Sequence, residues 1–194
     1  MNSTASSLSI AVYGHESAEP AAVAAALGAH VAHVAEAHID CAIFAVNPST
    51  GIDQATIDIW SAYDEFQTPR ILVVTHLENQ EADFEDAVMV ANRVFDLMAT
   101  PYLVLHDEAG LPCALISLET MQILDYSTVP PTQRPCETEH ELLVQEFRDE
   151  YLELTSSLGE GAFSAGVLFP AIPIWIEKRL GVDIVKSYVQ QLNV

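Results

Sequence analysis

The sequence predicts an α/β fold built on a parallel sheet, and three features of residues 40–84 carry that expectation. A short apolar run at 41–46 is rich in β-branched and aromatic residues and stops at Asn47-Pro48. A second short run, 71–74, follows Thr68-Pro69. Between them Ile52, Ala55, Ile59, Ala62, Tyr63 and Phe66 recur at helical spacing, enough for about four turns packed on the sheet. Strand, helix and strand in that order form the repeating unit of a parallel sheet, because a parallel connection needs a crossover.

The remaining elements follow in chain order. Residues 8–13 read as a first strand, and the Ala-rich stretch 21–38 reads as a helix interrupted by Gly28. Residues 87–97 read as a helix with Val88, Ala91, Val94, Phe95 and Met98 on or beside one face. Two strands, 101–105 and 114–118, are joined through Asp107-Glu108-Ala109-Gly110, whose composition suits a turn. Residues 128–135 read as a Pro-rich linker with little to bury. A long amphipathic helix over 137–158 places Leu142, Leu143, Phe147, Tyr151, Leu154 and Leu158 on one side, and Gly159 and Gly161 end it. A last strand opens at Leu168-Phe169-Pro170 and a closing helix at Gly181-Val182.

Length and composition bound the function classes. A chain of 194 residues suffices for one α/β domain with a sizeable core, so a single domain over 1–194 is expected. Half the residues are hydrophobic and 18% are charged, the balance of a globular chain. Seven Lys and Arg face 28 Asp and Glu, a formal charge of −21 that repels phosphate backbones, so no nucleic-acid partner is expected. Cys41, Cys113 and Cys136 are odd in number and lack close spacing, which points to reduced thiols in a cytoplasm rather than a disulfide framework or zinc ribbon. Residues 1–9 lack the pattern of a signal peptide, and no apolar run reaches the length of a membrane span.

The 40–84 unit also resembles the guanine-nucleotide-binding domain of elongation factor G and the ribosomal-protection GTPases. The matching residues are Asp40 to Val46 as Asp-x-Ala-(apolar)₃-Val, Gly51-Ile52, Thr56, Trp60, Pro69-Arg70 and Ala82-Asp83-Phe84. The resemblance implies a P-loop-NTPase-like layered fold with a mostly parallel sheet and a small inserted α+β subdomain over about 100–160. Residues 111–126 are similar to the segment that opens that subdomain.

The same resemblance exposes four departures. Family members carry a phosphate loop Gly-His-x-x-x-Gly-Lys-Thr; here Gly14 and His15 match its start, but Glu19, Pro20 and Ala21 replace its last three residues. The loop works through backbone N–H groups, an ammonium and a hydroxyl for Mg²⁺. Pro20 supplies neither N–H nor ammonium, and Ala21 no hydroxyl. A carboxylate at Glu19, about 4 Å from a phosphate charge, costs on the order of 4 kcal/mol at an effective dielectric near 20, close to a thousandfold in affinity. About twenty residues separate Pro20 from Asp40 and contain no Asp-x-x-Gly, so the switch segments and their strands are expected to be missing. The guanine motif Asn-Lys-x-Asp becomes Thr75-His76-Leu77-Glu78, where Glu78 keeps a carboxylate one methylene further out. The last motif, Gly-Ser-Ala, becomes Ile174-Trp175-Ile176, with Trp175 expected to fill the base pocket.

The sequence therefore predicts a catalytically inactive pseudo-GTPase that serves as a protein-binding or scaffold module, without GTP, GDP, Mg²⁺ or another metal, and without catalytic residues. Its nucleotide-site positions are Gly14, His15, Glu19, Pro20, Ala21, Thr75, His76, Glu78, Trp175 and Ile176. One alternative is a weak guanine-nucleotide site built on Glu78 and the backbone of 14–18; another, from ancestry alone, is a ribosome-associated translation regulator. A sheet that has lost its switch strands exposes an edge, so a homodimer through that edge is a further expectation. His30 and His33, placed on one helix face, lack the His-Glu-x-x-His spacing of a zinc helix and read as surface histidines.

Overall fold

A computed structural model describes residues 8–193. The strands are β1 (Ile10–Tyr13), β2 (His30–Val31), β3 (Cys41–Val46), β4 (Arg70–Val74), β5 (Met98–Ala99), β6 (Tyr102–His106), β7 (Pro112–Ser117), β8 (Gln122–Asp125), β9 (Thr132–Pro135) and β10 (Phe169–Pro173). The α-helices are α1 (Pro20–Leu27), α2 (Gln54–Ala62), α3 (Phe84–Val94), α4 (Thr138–Leu158) and α5 (Val182–Gln190). Short 3-10 turns occupy Glu16–Ala18 and Ile176–Lys178.

Six strands form one sheet in the order β2-β1-β3-β4-β10-β5, and every pairing in it is parallel. Central strands β3 and β4 are buried along their whole length, which is why both read as unbroken apolar runs rather than alternating ones. A second sheet, β6-β7-β8-β9, is antiparallel throughout and lies between β5 and α4 in the chain. The α/β class, the parallel sheet and a separate small sheet in the 100–160 segment thus match the expectation from sequence.

Four local expectations are corrected. The helix expected over 21–38 ends at Leu27, where Gly28 takes the left-handed φ of 72° and donates its N–H to Ala24. The chain then turns back to lay His30 and Val31 beside Ala11 and Val12, so pairing with an open strand edge overrides the helix propensity of an Ala-rich stretch. His30 and His33 consequently share no helix face; His30 instead meets Glu36 at 2.7 Å. The edge left by the missing switch strands is held by this two-residue strand, short enough to offer little backbone for pairing.

The Pro-rich stretch is no plain linker, since Thr132–Pro135 pairs with β8 as a fully exposed edge strand, the position where a sheet tolerates proline. The helix expected from residue 87 begins at Phe84, because Asp83 and Asp86 cap its first turn reciprocally. Finally, the apolar side of α4 is only partly covered: Tyr151 and Val144 are buried, while Leu142 and Leu143 are 69% and 75% exposed. Val144 and Tyr151 anchor the helix on the protein, and Leu142 and Leu143 project outward.

The core is pinned by an aromatic cluster around an arginine. Trp60 stacks on Phe95 at 4.3 Å between centroids, packs edge-on against Phe44 and Phe169, and donates its Nε1–H to Asp96 at 2.8 Å. Arg70, 2% exposed, lies 4.7 Å from the Trp60 ring and 4.5 Å from the Phe169 ring. Its Nη1 donates to the Trp60 carbonyl at 2.9 Å and to Asp64 at 2.7 Å, whereas its Nε has no partner. Trp60 and Arg70, noted in the sequence as pattern residues, are here one packing unit.

Candidate functional site

In an open parallel sheet ligands bind beyond the carboxyl ends of the strands, and here the loops after β1, β3, β4 and β10 meet at that end. Gly14 leaves β1 at a φ of 145°, so close to β3 that a Cβ would lie 2.4 Å from the Ala45 carbonyl oxygen. The chain then winds into the 3-10 turn Glu16–Ala18, and this turn consumes the loop's own donors. The Ser17 N–H goes to His15 Nδ1 at 3.2 Å, the Ala18 N–H to the His15 carbonyl at 2.9 Å, and the Glu19 N–H to the Glu16 carbonyl at 3.0 Å. Glu19 adopts the left-handed φ of 53°, and Pro20 starts α1 at the position where its missing N–H leaves no donor unsatisfied. Ala21 lies exposed in the first turn of that helix.

The turn after β3 buttresses this closure. Asn47, buried at the end of the strand, donates its Nδ2–H to the Ser17 carbonyl at 2.9 Å, and Ser17 Oγ meets Thr50 Oγ1 at 2.9 Å. Asn79 in turn reaches Ser49 Oγ at 2.6 Å. The space enclosed by His15, Ala18, Val46 and Asn47 has a volume of ≈ 0 Å³. Sequence reading missed Asn47, Ser17 and Thr50; the available signal was the Asn-Pro step closing a buried strand, which marks a turn whose Asn side chain bonds backbone.

The other half of the expected site gathers on the loops after β4 and β10. Thr75 is buried, with its hydroxyl 3.3 Å from the Val46 carbonyl and 2.9 Å from His76 Nδ1. His76 has a positive φ of 55°, and its Nε2 lies 3.8 Å from the Glu19 carboxylate. Glu78 is exposed at the rim, and Trp175 and Ile176 stand half-buried across from it. Backbone pairing of Trp175 with Leu180, at 3.0 Å in both directions, closes the loop, and Lys178 Nζ sits 5.6 Å from the indole centroid. Glu19, Thr75, His76, Glu78, Trp175 and Ile176 therefore do converge, around a cavity of ≈ 20 Å³. That is room for about one water molecule rather than a purine ring. Beside His76, the carboxylates of Glu19, Glu78 and Glu177 line this cavity and disfavour an anion there.

The cysteine thiols and the Tyr13 hydroxyl are all held towards their protonated forms. Cys41 is buried in β3, and burial, with a smaller push from Asp40, drives its thiol well above the ordinary range. Cys113 and Cys136, half-buried and free, are also pushed up, first by burial. Burial raises the Tyr13 hydroxyl too, aided by its hydrogen bond with Tyr63. Among the described residues no group of three or more His, Cys, Asp or Glu is arranged to hold a metal ion. Among the same residues no helix is long and apolar enough to cross a membrane.

A larger concavity than either of the spaces at the strand ends lies on another face. It runs between α3 and α4, measures ≈ 810 Å³, and brings together Val88 and Met98 from one expected helix face with Phe147, Tyr151 and Leu154 from another.

No family model matches the chain. Two curated proteins, both described as elongation factor G-like proteins of Mycobacterium tuberculosis, are 27% identical over 168 residues, covering 73% of this chain and 22% of theirs. A solved structure from Thermus thermophilus superposes with a TM-score of 0.68 at 21% identity, over 80% of this chain and 26% of that one. The chain thus resembles part of an elongation factor G-like protein, spans about a fifth of the length of those relatives, and shares the fold of the solved structure.

Proposed function

We propose that this chain is a G-domain-like protein-binding or scaffold module, cytoplasmic and without GTPase activity. The observation that carries the reading is the closed phosphate loop. Its Ser17, Ala18 and Glu19 amides, which in a working loop point at phosphate, are engaged by His15 and Glu16, and the space in front of them is ≈ 0 Å³. Opening the loop would break those bonds together with the Asn47 and Thr50 contacts that hold it shut. Pro20 would still contribute no donor, and Glu19 would oppose an anion.

Chemistry fails at the same place as binding. Phosphoryl transfer is positioning plus charge stabilisation, and it needs a metal, a cradle and an oriented water. Between α1 and β3 the chain has only β2 and a loop, so no segment is available to sense a γ-phosphate. Isothermal calorimetry with GTP and with GDP, each with Mg²⁺, tests the reading: no saturable heat is expected up to about 1 mM ligand, a binding free energy weaker than roughly −4 kcal/mol. Binding at micromolar affinity, or steady release of phosphate from GTP, overturns it.

A further inference from the structure

We infer that the groove between α3 and α4 is a docking site for a cationic amphipathic helix of a partner protein. This deepens the binding-module reading and rests on it.

The groove has an apolar floor and an acidic rim. Met89, Leu97 and Phe147 are 49%, 62% and 42% exposed along it, and Leu154 is half-buried beside them. Glu85 from α3 and Glu150 and Glu153 from α4 stand over this floor, against a single cation, Arg93. Exposed apolar side chains continue past the groove along α4 at Leu142 and Leu143. Single exposed leucines are ordinary, but a concave, contiguous row bordered by polar groups marks an interaction surface.

Shape and charge select the occupant. The trough runs beside Phe147 to Ser157 of α4, about three turns or roughly 15 Å of helix, a length that suits a short helix laid in a groove with anchors at i, i+3/i+4 and i+7. A chain of net charge −21 with three carboxylates over the trough attracts Lys and Arg on the flanks of such a helix. The same field disfavours a second copy, whose surface carries the same sign. Burial raises the Glu85 carboxyl, with Asp83 and Asp86 adding to the effect, so a neighbouring cation would relieve an unfavourable charge there.

The probes are a synthetic peptide of about 18 residues with Leu and Lys at helical period, its Leu/Glu counterpart, and a Leu/Lys peptide of identical composition in scrambled order. Fluorescence anisotropy with the whole chain is expected to show saturable binding of the first alone, weakening as salt rises. Leu97→Asp is expected to abolish it, and Glu150→Lys with Glu153→Lys to weaken it at least about tenfold. These side chains are exposed, so the variants keep the fold; an unchanged Tm confirms that. Equal binding of the scrambled peptide, no binding of the Leu/Lys peptide, or indifference to Leu97→Asp overturns the proposal. So does a dimer in light scattering that Leu97→Asp dissociates, since a second copy would then own the groove. Failure here is read as lost peptide binding, whereas failure of the module reading is read as nucleotide heat, so the two are separable.

Discussion

At the carboxyl ends of the parallel strands the loops enclose ≈ 0 and ≈ 20 Å³, while the groove between α3 and α4 encloses ≈ 810 Å³. The first is built from loops and is shut, the second from two helices and is open. Local chemistry accounts for the difference. In the loops, short polar side chains within reach of backbone donors, His15, Ser17, Asn47 and Thr50, fold the chain onto itself. In the groove, α4 carries more apolar surface than its contact with β5 covers, so the excess faces solvent. A concavity in a nucleotide fold is therefore a property of particular side chains and is not guaranteed by the strand order.

The largest expected effect comes from the sheet core on which both regions are built. Arg70→Ala removes the side chain sandwiched by Trp60 and Phe169 and is expected to cost about 3–5 kcal/mol, a fall in Tm of roughly 10 °C or more by thermal denaturation. Arg70→Met keeps most of the volume and also removes the unpartnered Nε, so a loss of under about 1.5 kcal/mol is expected. Equal losses in the two would show that charge rather than packing holds this cluster.

Next in size is the loop itself. Gly14→Ala sets a Cβ 2.4 Å from the Ala45 carbonyl at a φ only glycine takes readily, so about 2–3 kcal/mol should be lost in urea unfolding. A smaller loss would mean that the loop is not pressed against β3. Glu19→Gly, Pro20→Lys and Ala21→Thr introduced together are expected not to restore Mg²⁺-GTP binding below about 1 mM, because the base side still offers only ≈ 20 Å³. Recovery of micromolar binding in calorimetry would show that those three residues alone keep the site shut.

The smallest expected effect distinguishes the groove from an inert surface. A carboxyl raised in the folded state binds its proton more tightly folded than unfolded, so Glu85 lowers stability as pH rises through and above its unfolded value near 4.3. Glu85→Gln should therefore raise Tm at pH 7 by under about 2 °C, with the gain fading towards pH 4. A gain that is independent of pH would remove the carboxyl's burial as its cause.

What the sequence made legible varied with how local the cause was. The strand-helix-strand unit at 40–84 could be read because buried parallel strands leave unbroken apolar runs and an intervening helix leaves a 3.6 period. The departures Glu19, Pro20 and Ala21 were legible because each changes a group whose chemistry is fixed by residue type. Asn47, Ser17 and Thr50 were not, since they act across 30 and 33 residues of chain and carry no spacing signal.

By itself the sequence determined the class of fold, the acidic field and the lack of a Lys at position 20 and of a hydroxyl at position 21, all consequences of side-chain identity and short-range pattern. Tertiary structure alone decided that residues 29–38 abandon a helix, with His30 and Val31 edging the sheet, that the loop after β1 is hydrogen-bonded onto itself, and that α3 and α4 leave a trough between them. Each of these depends on which surfaces meet at long range, where a two-residue pairing or one side-chain amide outweighs local propensity, and no window of sequence contains both partners.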